Sequence, residues 1–240
     1  MKSTWKNALD QALINERIEI WPVAMLWQEA QFQPDAPSRP TFDRWLDNAV
    51  TSGKLKRIRA GLYLNAMGNQ DVSPAAAAGH IRRGAIPSLA WVLEQNWLLN
   101  NFGDTITCTL AFTTGEPPPS TAAVVTPLGT FRFHAIPWRI REPAGVPVGA
   151  WMDERFAHPR ATPEKAFADW LYLANSPHSK LRPPPLDMEF DRLDLGKLRR
   201  IVKAMDIDPA LATWRDQKIA YDGDPDVEAN DYTGIRQRKA

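Results

Sequence analysis

Four cations lie close together in a segment without an acidic side chain. They fill half of residues 52–59 and are Lys54, Lys56, Arg57 and Arg59. Lysine and arginine side chains bind phosphate oxygens through charge-assisted hydrogen bonds, so this cluster has the chemistry needed to follow a nucleic-acid backbone. A solvated hairpin often carries such a cluster as well. The interpretation therefore depends on the elements that position these side chains.

The segment before this cluster has the periodicity of a helix with a polar and an apolar face. Phe42, Trp45, Leu46 and Ala49 form the apolar face, and the polar side chains opposite them are Thr41, Arg44 and Asn48. Arg44 has the donors to bind guanine, and Asn48 is able to pair with adenine. Arg39 precedes this segment and is placed for a phosphate. Asp43 and Asp47 lie beside these residues and would repel phosphates.

The first 65 residues predict three helices followed by a β-hairpin, the layout of a winged helix-turn-helix. The predicted helices cover residues 5–14, residues 23–30 with Pro22 in the first turn, and a third helix that Thr41 caps or starts and Gly53 ends. The predicted strands are residues 54–58 and 62–64, and Gly61 provides a positive φ between them. The strand period places Lys54 and Lys56 opposite Arg57. Lys54, Lys56 and Arg59 at the tip are therefore the stronger candidates for a duplex.

The remainder of the chain mixes helical and strand patterns. Helices are predicted over residues 74–83 with Ser73 or Asp71 as the cap, from Ser88, from Thr162, over 195–205 and over 209–216; strands are predicted over 105–113, 122–126 and 129–135. The predicted fold class is α+β, with an N-terminal winged helix-turn-helix followed by a mixed α/β C-terminal domain. The expected boundaries are 1–66 for the winged helix, 67–220 for the second domain and 221–240 for a loosely held charged tail.

Net charge, cysteine count and the length of apolar runs exclude several classes of protein. The 240 residues carry a net charge of +1, so only local clustering of charge bears on nucleic acid. One cysteine excludes an intrachain disulfide framework and a multi-cysteine metal site. The N-terminus lacks the apolar core of a signal peptide, and no apolar run is long enough to cross a bilayer. These features predict a cytoplasmic protein that does not associate with membranes.

The sequence predicts no catalytic residue, no metal site and no cofactor, and hence a protein that is not an enzyme. No histidine has metal-ligand spacing, no phosphate-binding glycine motif is present, and Cys108 lies in an apolar strand pattern that predicts a small buried side chain. Asp169 lies four residues after Lys165, so a helix salt bridge explains it. A weaker interpretation is an enzyme of the modifying type that uses Asp169 or Glu164.

Several segments resemble one known family. Residues 52–63 resemble the G-x-L-x-R-x-x-x-G-x-Y wing of AbiEi-family antitoxins, through Gly53, Leu55, Arg57, Gly61 and Tyr63. Residues 161–172 resemble the family's A-x-P-E-K-A-x-x-D-x-L segment, and residues 86–93 and 126–133 also fit it. The resemblance covers most of residues 20–205. The long, proline-rich stretch 33–40 departs from the family pattern, as does the charged tail.

The resemblance implies a two-domain regulator from a type IV toxin–antitoxin operon of the abortive-infection class. Its winged helix would bind inverted repeats in double-stranded DNA at its own promoter and repress it. Its second domain would counter a nucleotidyltransferase-like toxin. We therefore expect a sequence-specific autorepressor that acts as an antitoxin. Two alternatives stay open: a protein-interaction module that docks a toxin or a partner subunit, and a stand-alone regulator without a toxin. The oligomeric state is left open.

Overall fold

The computed structural model describes residues 4–15, 18–67, 73–100 and 103–224. Its architecture is mixed α+β with two β-sheets, which confirms the predicted class at that level. Asp71 and residues 225–240 of the predicted tail lie outside the described ranges. Among the described residues, no helix combines the length and apolar character that membrane crossing requires.

The N-terminal part folds as three helices and a three-stranded antiparallel sheet. Its elements are α1 (Thr4–Asn15), β1 (Ile20–Pro22), α2 (Val23–Gln31), α3 (Arg39–Thr51), β2 (Leu55–Arg59) and β3 (Leu62–Asn65). The strand order is β1-β3-β2, so β3 is the central strand. Strand β1 was not predicted, because Pro22 was assigned to the start of a helix; the strand ends at this proline and α2 begins at Val23.

The third helix begins two residues earlier than predicted. Its N-cap is Ser38, and Pro40 occupies one of the first helical positions, where the missing N–H costs no hydrogen bond. Thr41 is therefore inside the first turn, with its hydroxyl 2.9 Å from the Ser38 hydroxyl. The predictions that Thr41 caps or starts the helix and that Arg39 precedes it are both wrong.

The N-terminal sheet is apolar on both faces. Trp21, Tyr63 and Leu55 pack with the helices in one core. The alternate residues on the opposite face belong to the core of the remaining chain and are Ile20, Ile58, Leu62 and Leu64. Because strand side chains alternate between the two faces, the three short strands serve both cores.

The second part contains a four-stranded sheet with helices around it. After a 3₁₀ turn at Pro74–Ala77, its elements are α4 (Ala78–Ile81), β4 (Ile86–Pro87), α5 (Leu89–Gln95), β5 (Thr105–Phe112), β6 (Val124–Thr126), β7 (Gly129–Pro137), α6 (Trp138–Arg141), α7 (Val148–Trp151), α8 (Pro163–Ala174), α9 (Leu195–Met205) and α10 (Asp208–Asp222). The strand order is β4-β5-β7-β6. Strand β5 pairs along its whole length with β7 in parallel, and the other two strand pairs are antiparallel.

Local signals account for several of these boundaries. Thr162 caps α8 by accepting a hydrogen bond from the Lys165 N–H at 3.3 Å, and Pro163 follows it in the first turn. Gly129 has a φ of 129°, and a Cβ there would approach the Asp104 carbonyl oxygen to 2.6 Å, so the β6–β7 turn requires glycine. Ser73 is the N-cap, as predicted. The helix predicted over residues 74–83 is instead a 3₁₀ turn followed by the short helix α4. Cys108 is fully buried, as predicted.

Candidate nucleic-acid interface

The outer face of α3 presents two of the predicted base-reading side chains to solvent. Arg44 and Asn48 are exposed, one helical turn apart, together with Asp47. The opposite face buries Phe42 and Trp45 in the N-terminal core. The amphipathic pattern therefore orients the helix, and its outer face is open to a ligand.

The first turn of α3 is held by contacts within the chain. The Arg39 Nε donates to the Asp43 carboxylate at 2.9 Å. The same guanidinium lies 5.3 Å from the Trp27 ring centroid and 5.6 Å from that of Phe42. Stacking on the two rings and pairing with Asp43 hold the Arg39 side chain in place at an exposed position. The ion pair also offsets the negative charge of Asp43.

The hairpin separates the four predicted cations into two pairs. Lys56 and Arg57 are exposed on the edge strand β2, and within the described residues neither forms an ion pair or a side-chain hydrogen bond. Lys54 instead donates to the Asp10 carboxylate on α1 at 2.7 Å. Arg59, at the tip, donates to the His80 carbonyl oxygen at 2.9 Å. Two of the three cations ranked highest from the sequence thus have partners within the chain, and Arg57, which was ranked lower, is open.

The exposed cations and the outer face of α3 belong to neighbouring elements, since β2 follows α3 after a short turn and packs against it. A bulge between Arg57 and Arg59 changes the register of β2 against β3 at the end of the hairpin. The arrangement combines hydrogen-bonding groups on a helix with free cations on an adjacent strand. Hydrogen-bonding groups of this kind are able to contact base edges, and free cations are able to bind phosphates.

The junction behind the sheet ties the N-terminal part to the rest of the chain. The His158 Nδ1 lies 2.9 Å from the Glu19 carboxylate, across the two parts. A cavity of about 490 Å³ adjoins this pair and is bounded by residues of both parts, among them Ile20 and Arg141. Sequence reasoning missed this link, because residues 19 and 158 are brought together only by the packing of the sheet.

The two candidates for enzymatic chemistry in α8 are buried. Asp169 accepts hydrogen bonds from the Lys165 ammonium and, at 2.7 Å, from the Ser88 hydroxyl. Side chains of Lys165 and Asp169 are each 2% exposed. Burial lowers the pKa of Lys165 and raises the pKa of Asp169, and their mutual attraction opposes both shifts. The i, i+4 pairing was predicted, and its complete burial was not.

Glu164 has a structural contact of its own. Its carboxylate accepts a hydrogen bond from the Asp194 backbone N–H at 3.0 Å, which joins the start of α8 to the start of α9. Asp194 in turn caps α9 by accepting from the Lys197 N–H at 2.9 Å. Among the described residues, no group of three or more histidine, cysteine, aspartate or glutamate side chains is arranged to hold a metal ion.

Comparison with known proteins finds similarity in fold to solved structures and no matching family. No family model matches this sequence, and no curated protein matches it. Among solved structures, the RV2827C protein from Mycobacterium tuberculosis is similar at a TM-score of 0.48 and 14% sequence identity, over 99% of this chain and 83% of that chain. No conclusion about function follows from a likeness at this level.

Proposed function

We propose that this chain is a sequence-specific DNA-binding repressor whose N-terminal part is a winged helix-turn-helix. The supporting observation is the element order helix–strand–helix–helix–strand–strand, combined with the exposed Arg44 and Asn48 on α3. In winged helices the third helix enters the major groove and the hairpin follows the neighbouring backbone. Lys56 and Arg57 are the exposed cations of β2, and the proposal assigns both to phosphates although they project from opposite faces of this edge strand.

The proposal assigns different tasks to the predicted DNA-binding residues. Arg44 and Asn48 read base edges, and Lys56 and Arg57 bind the backbone. Arg39 and Thr41 hold the first turn of α3, while Lys54 and Arg59 fix the hairpin to α1 and to the second part through the contacts described above. Asp47 remains on the reading face and excludes phosphate from its immediate surroundings.

We further propose that the target is the promoter of the chain's own operon and that the second part acts as an antitoxin. This part of the proposal rests on the resemblance of residues 52–63 and 161–172 to AbiEi-family antitoxins. A protein-interaction module that docks a toxin remains the second candidate. It is favoured by the internal partners of Arg39, Lys54 and Arg59, which reduce the free positive charge of the surface.

The test measures the affinity of the full chain for a duplex from its own upstream region and for a scrambled duplex of equal length, by fluorescence anisotropy. The proposal expects tighter binding to the upstream duplex. Arg44→Ala should reduce this preference by about 1–3 kcal/mol at one base pair. The matched control Arg199→Ala removes an exposed arginine from α9 and should leave the preference unchanged.

Two outcomes would overturn parts of this proposal. Equal affinity for both duplexes would exclude sequence-specific repression. Co-purification with the product of the neighbouring gene, together with no retardation of the upstream DNA, would favour the docking module. The antitoxin role is tested separately, by co-expression of the neighbouring gene: growth arrest that this chain relieves supports it, and growth arrest that persists contradicts it.

A further inference from the structure

A second cavity lies far along the chain from the residues proposed to contact DNA. It has a volume of about 870 Å³ and opens where the parallel strands β5 and β7 end, at Phe112 and Pro137. The carboxyl ends of parallel strands are a frequent location of ligand sites in α/β proteins, and this volume is typical of sites for small molecules. Phe133 and Leu181 contribute to its apolar lining.

The polar side chains that line this cavity are cationic or neutral. They include His134, Arg139, Tyr172, His178 and Lys180, and the hydroxyl side chains among them are Thr114, Thr121, Ser176 and Ser179. The described residues of the lining include no aspartate or glutamate, although the whole chain has 28 acidic residues against 29 lysines and arginines. The local excess of positive charge is therefore a property of this cavity and not of the composition.

Three of these side chains have no ion-pair or hydrogen-bond partner in the part of the chain that the structure describes. Arg139, Tyr172 and Lys180 form no ion pair or side-chain hydrogen bond there, whereas nearby Arg141 donates to the Gly84 carbonyl oxygen at 2.7 Å. Unpaired donors around an apolar cavity are able to donate hydrogen bonds to a ligand or to solvent.

Protonation leaves donors available at neutral pH. Burial, and to a smaller extent the nearby Arg132 cation, together lower the pKa of His134 to about 4, so this imidazole is neutral at neutral pH and is able to donate one hydrogen bond. Burial raises the pKa of Tyr172, and the neighbouring Arg139 acts in the opposite direction. The phenol therefore keeps its proton beside the guanidinium.

We propose that this cavity binds a small organic anion with a flat, apolar body. The carboxylate or phosphate of the ligand binds Arg139 and Lys180, and its body packs against Phe112 and Phe133. An anion accepts hydrogen bonds from the unpaired donors. An apolar ring fills the cavity and removes its apolar lining from contact with water. This site is independent of the proposed DNA interface, because it uses none of the same residues.

The experiment uses two fluorescent probes of nearly the same shape, with the full chain. The anionic probe is 8-anilinonaphthalene-1-sulfonate, whose sulfonate stands in for the carboxylate or phosphate, and the neutral probe is N-phenyl-1-naphthylamine. We expect one saturable site per chain for the anion. In the double variant Arg139→Ala/Lys180→Ala, the anion should bind about tenfold more weakly or worse, while the neutral probe changes by less than about twofold.

The control double variant Arg199→Ala/Arg200→Ala removes the same charge from exposed positions on α9 and should leave both affinities within about twofold of the original. Circular dichroism checks that each variant is folded; if the alanine variant is not, Arg139→Gln/Lys180→Gln replaces it. An unchanged affinity for the anion in the cavity variant would overturn the proposal. An equal loss in the control variant would also overturn it, because net charge would then explain the binding.

Discussion

The charged residues of α3 and β2 differ from those of α8 in what surrounds them. Arg44, Lys56 and Arg57 are exposed, and their charges are solvated and available to a partner. Lys165 and Asp169 are each 2% exposed and pair with one another, and Asp169 also accepts a hydrogen bond from Ser88. The exposed charges of α3 and β2 stay hydrated, so they carry little desolvation cost, and a ligand is able to reach them. The buried charges of α8 are costly to desolvate and are tolerated because each group satisfies the other. Similar residue types are therefore open to a partner in one region and stabilise internal structure in the other.

The largest expected effect comes from breaking the buried pair. Asp169→Ala leaves the Lys165 ammonium buried without its counter-charge and leaves the Ser88 hydroxyl without its acceptor. We expect the free energy of unfolding to fall by about 3–5 kcal/mol, measured by urea denaturation. The double variant Lys165→Met/Asp169→Leu removes both charges and should recover most of this loss. If the double variant is as unstable as the single one, the network contributes through packing and not through charge.

The second prediction concerns the open cations. Lys56→Ala/Arg57→Ala should lower the slope of log affinity for DNA against log salt by about two units, because two phosphate contacts are lost, and should change stability by less than about 0.5 kcal/mol. Lys54→Ala is the comparison within the same hairpin. Because Lys54 pairs with Asp10, we expect it to alter the slope less and to cost up to about 1 kcal/mol of stability. A slope change of about one unit for Lys54→Ala would show that the Asp10 pair does not hold Lys54 away from DNA.

The third prediction concerns the carboxyl of Glu94, which is buried in α5. Burial raises the pKa of Glu94 from 4.5 to about 7. The native state therefore holds this proton at pH values where the unfolded chain has lost it, so the stability from this group is present below pH 4.5 and is lost as the pH rises through about 7. Glu94→Gln keeps the neutral form at every pH. Urea denaturation should find it more stable than the original by on the order of 1–2 kcal/mol at pH 8 and equal at pH 4.5. A difference independent of pH would contradict this assignment.

Elements with local capping signals were predictable from the sequence. Helix α9 has the predicted bounds, because Asp194 caps it and its apolar residues recur at helical spacing. The hairpin bounds differ from the prediction by one residue at each affected end. Strand β1 has only three residues and forms because Ile20 pairs with Leu64, which is far along the chain. No local pattern specifies such a pairing.

The candidate interface was predictable in its residue types but not in which cations are free. The helical period correctly placed Arg44 and Asn48 opposite the apolar face. The contact of Lys54 with Asp10 spans 44 positions, and that of Arg59 with His80 spans 21. Both depend on how α1 and α4 pack around the sheet. The ionic network of α8 was visible as an i, i+4 pair, but its burial depends on Ser88 and the surrounding core.

The N-terminal sheet is apolar on both faces, which limits how this protein can be divided into separately folded fragments. A fragment that stops near residue 67 would expose four large side chains to water, namely Ile20, Ile58, Leu62 and Leu64. Such a patch favours self-association, so the isolated fragment would aggregate or pair with itself through this surface. Chimeras that graft the first three helices onto another body would need polar replacements at these four positions.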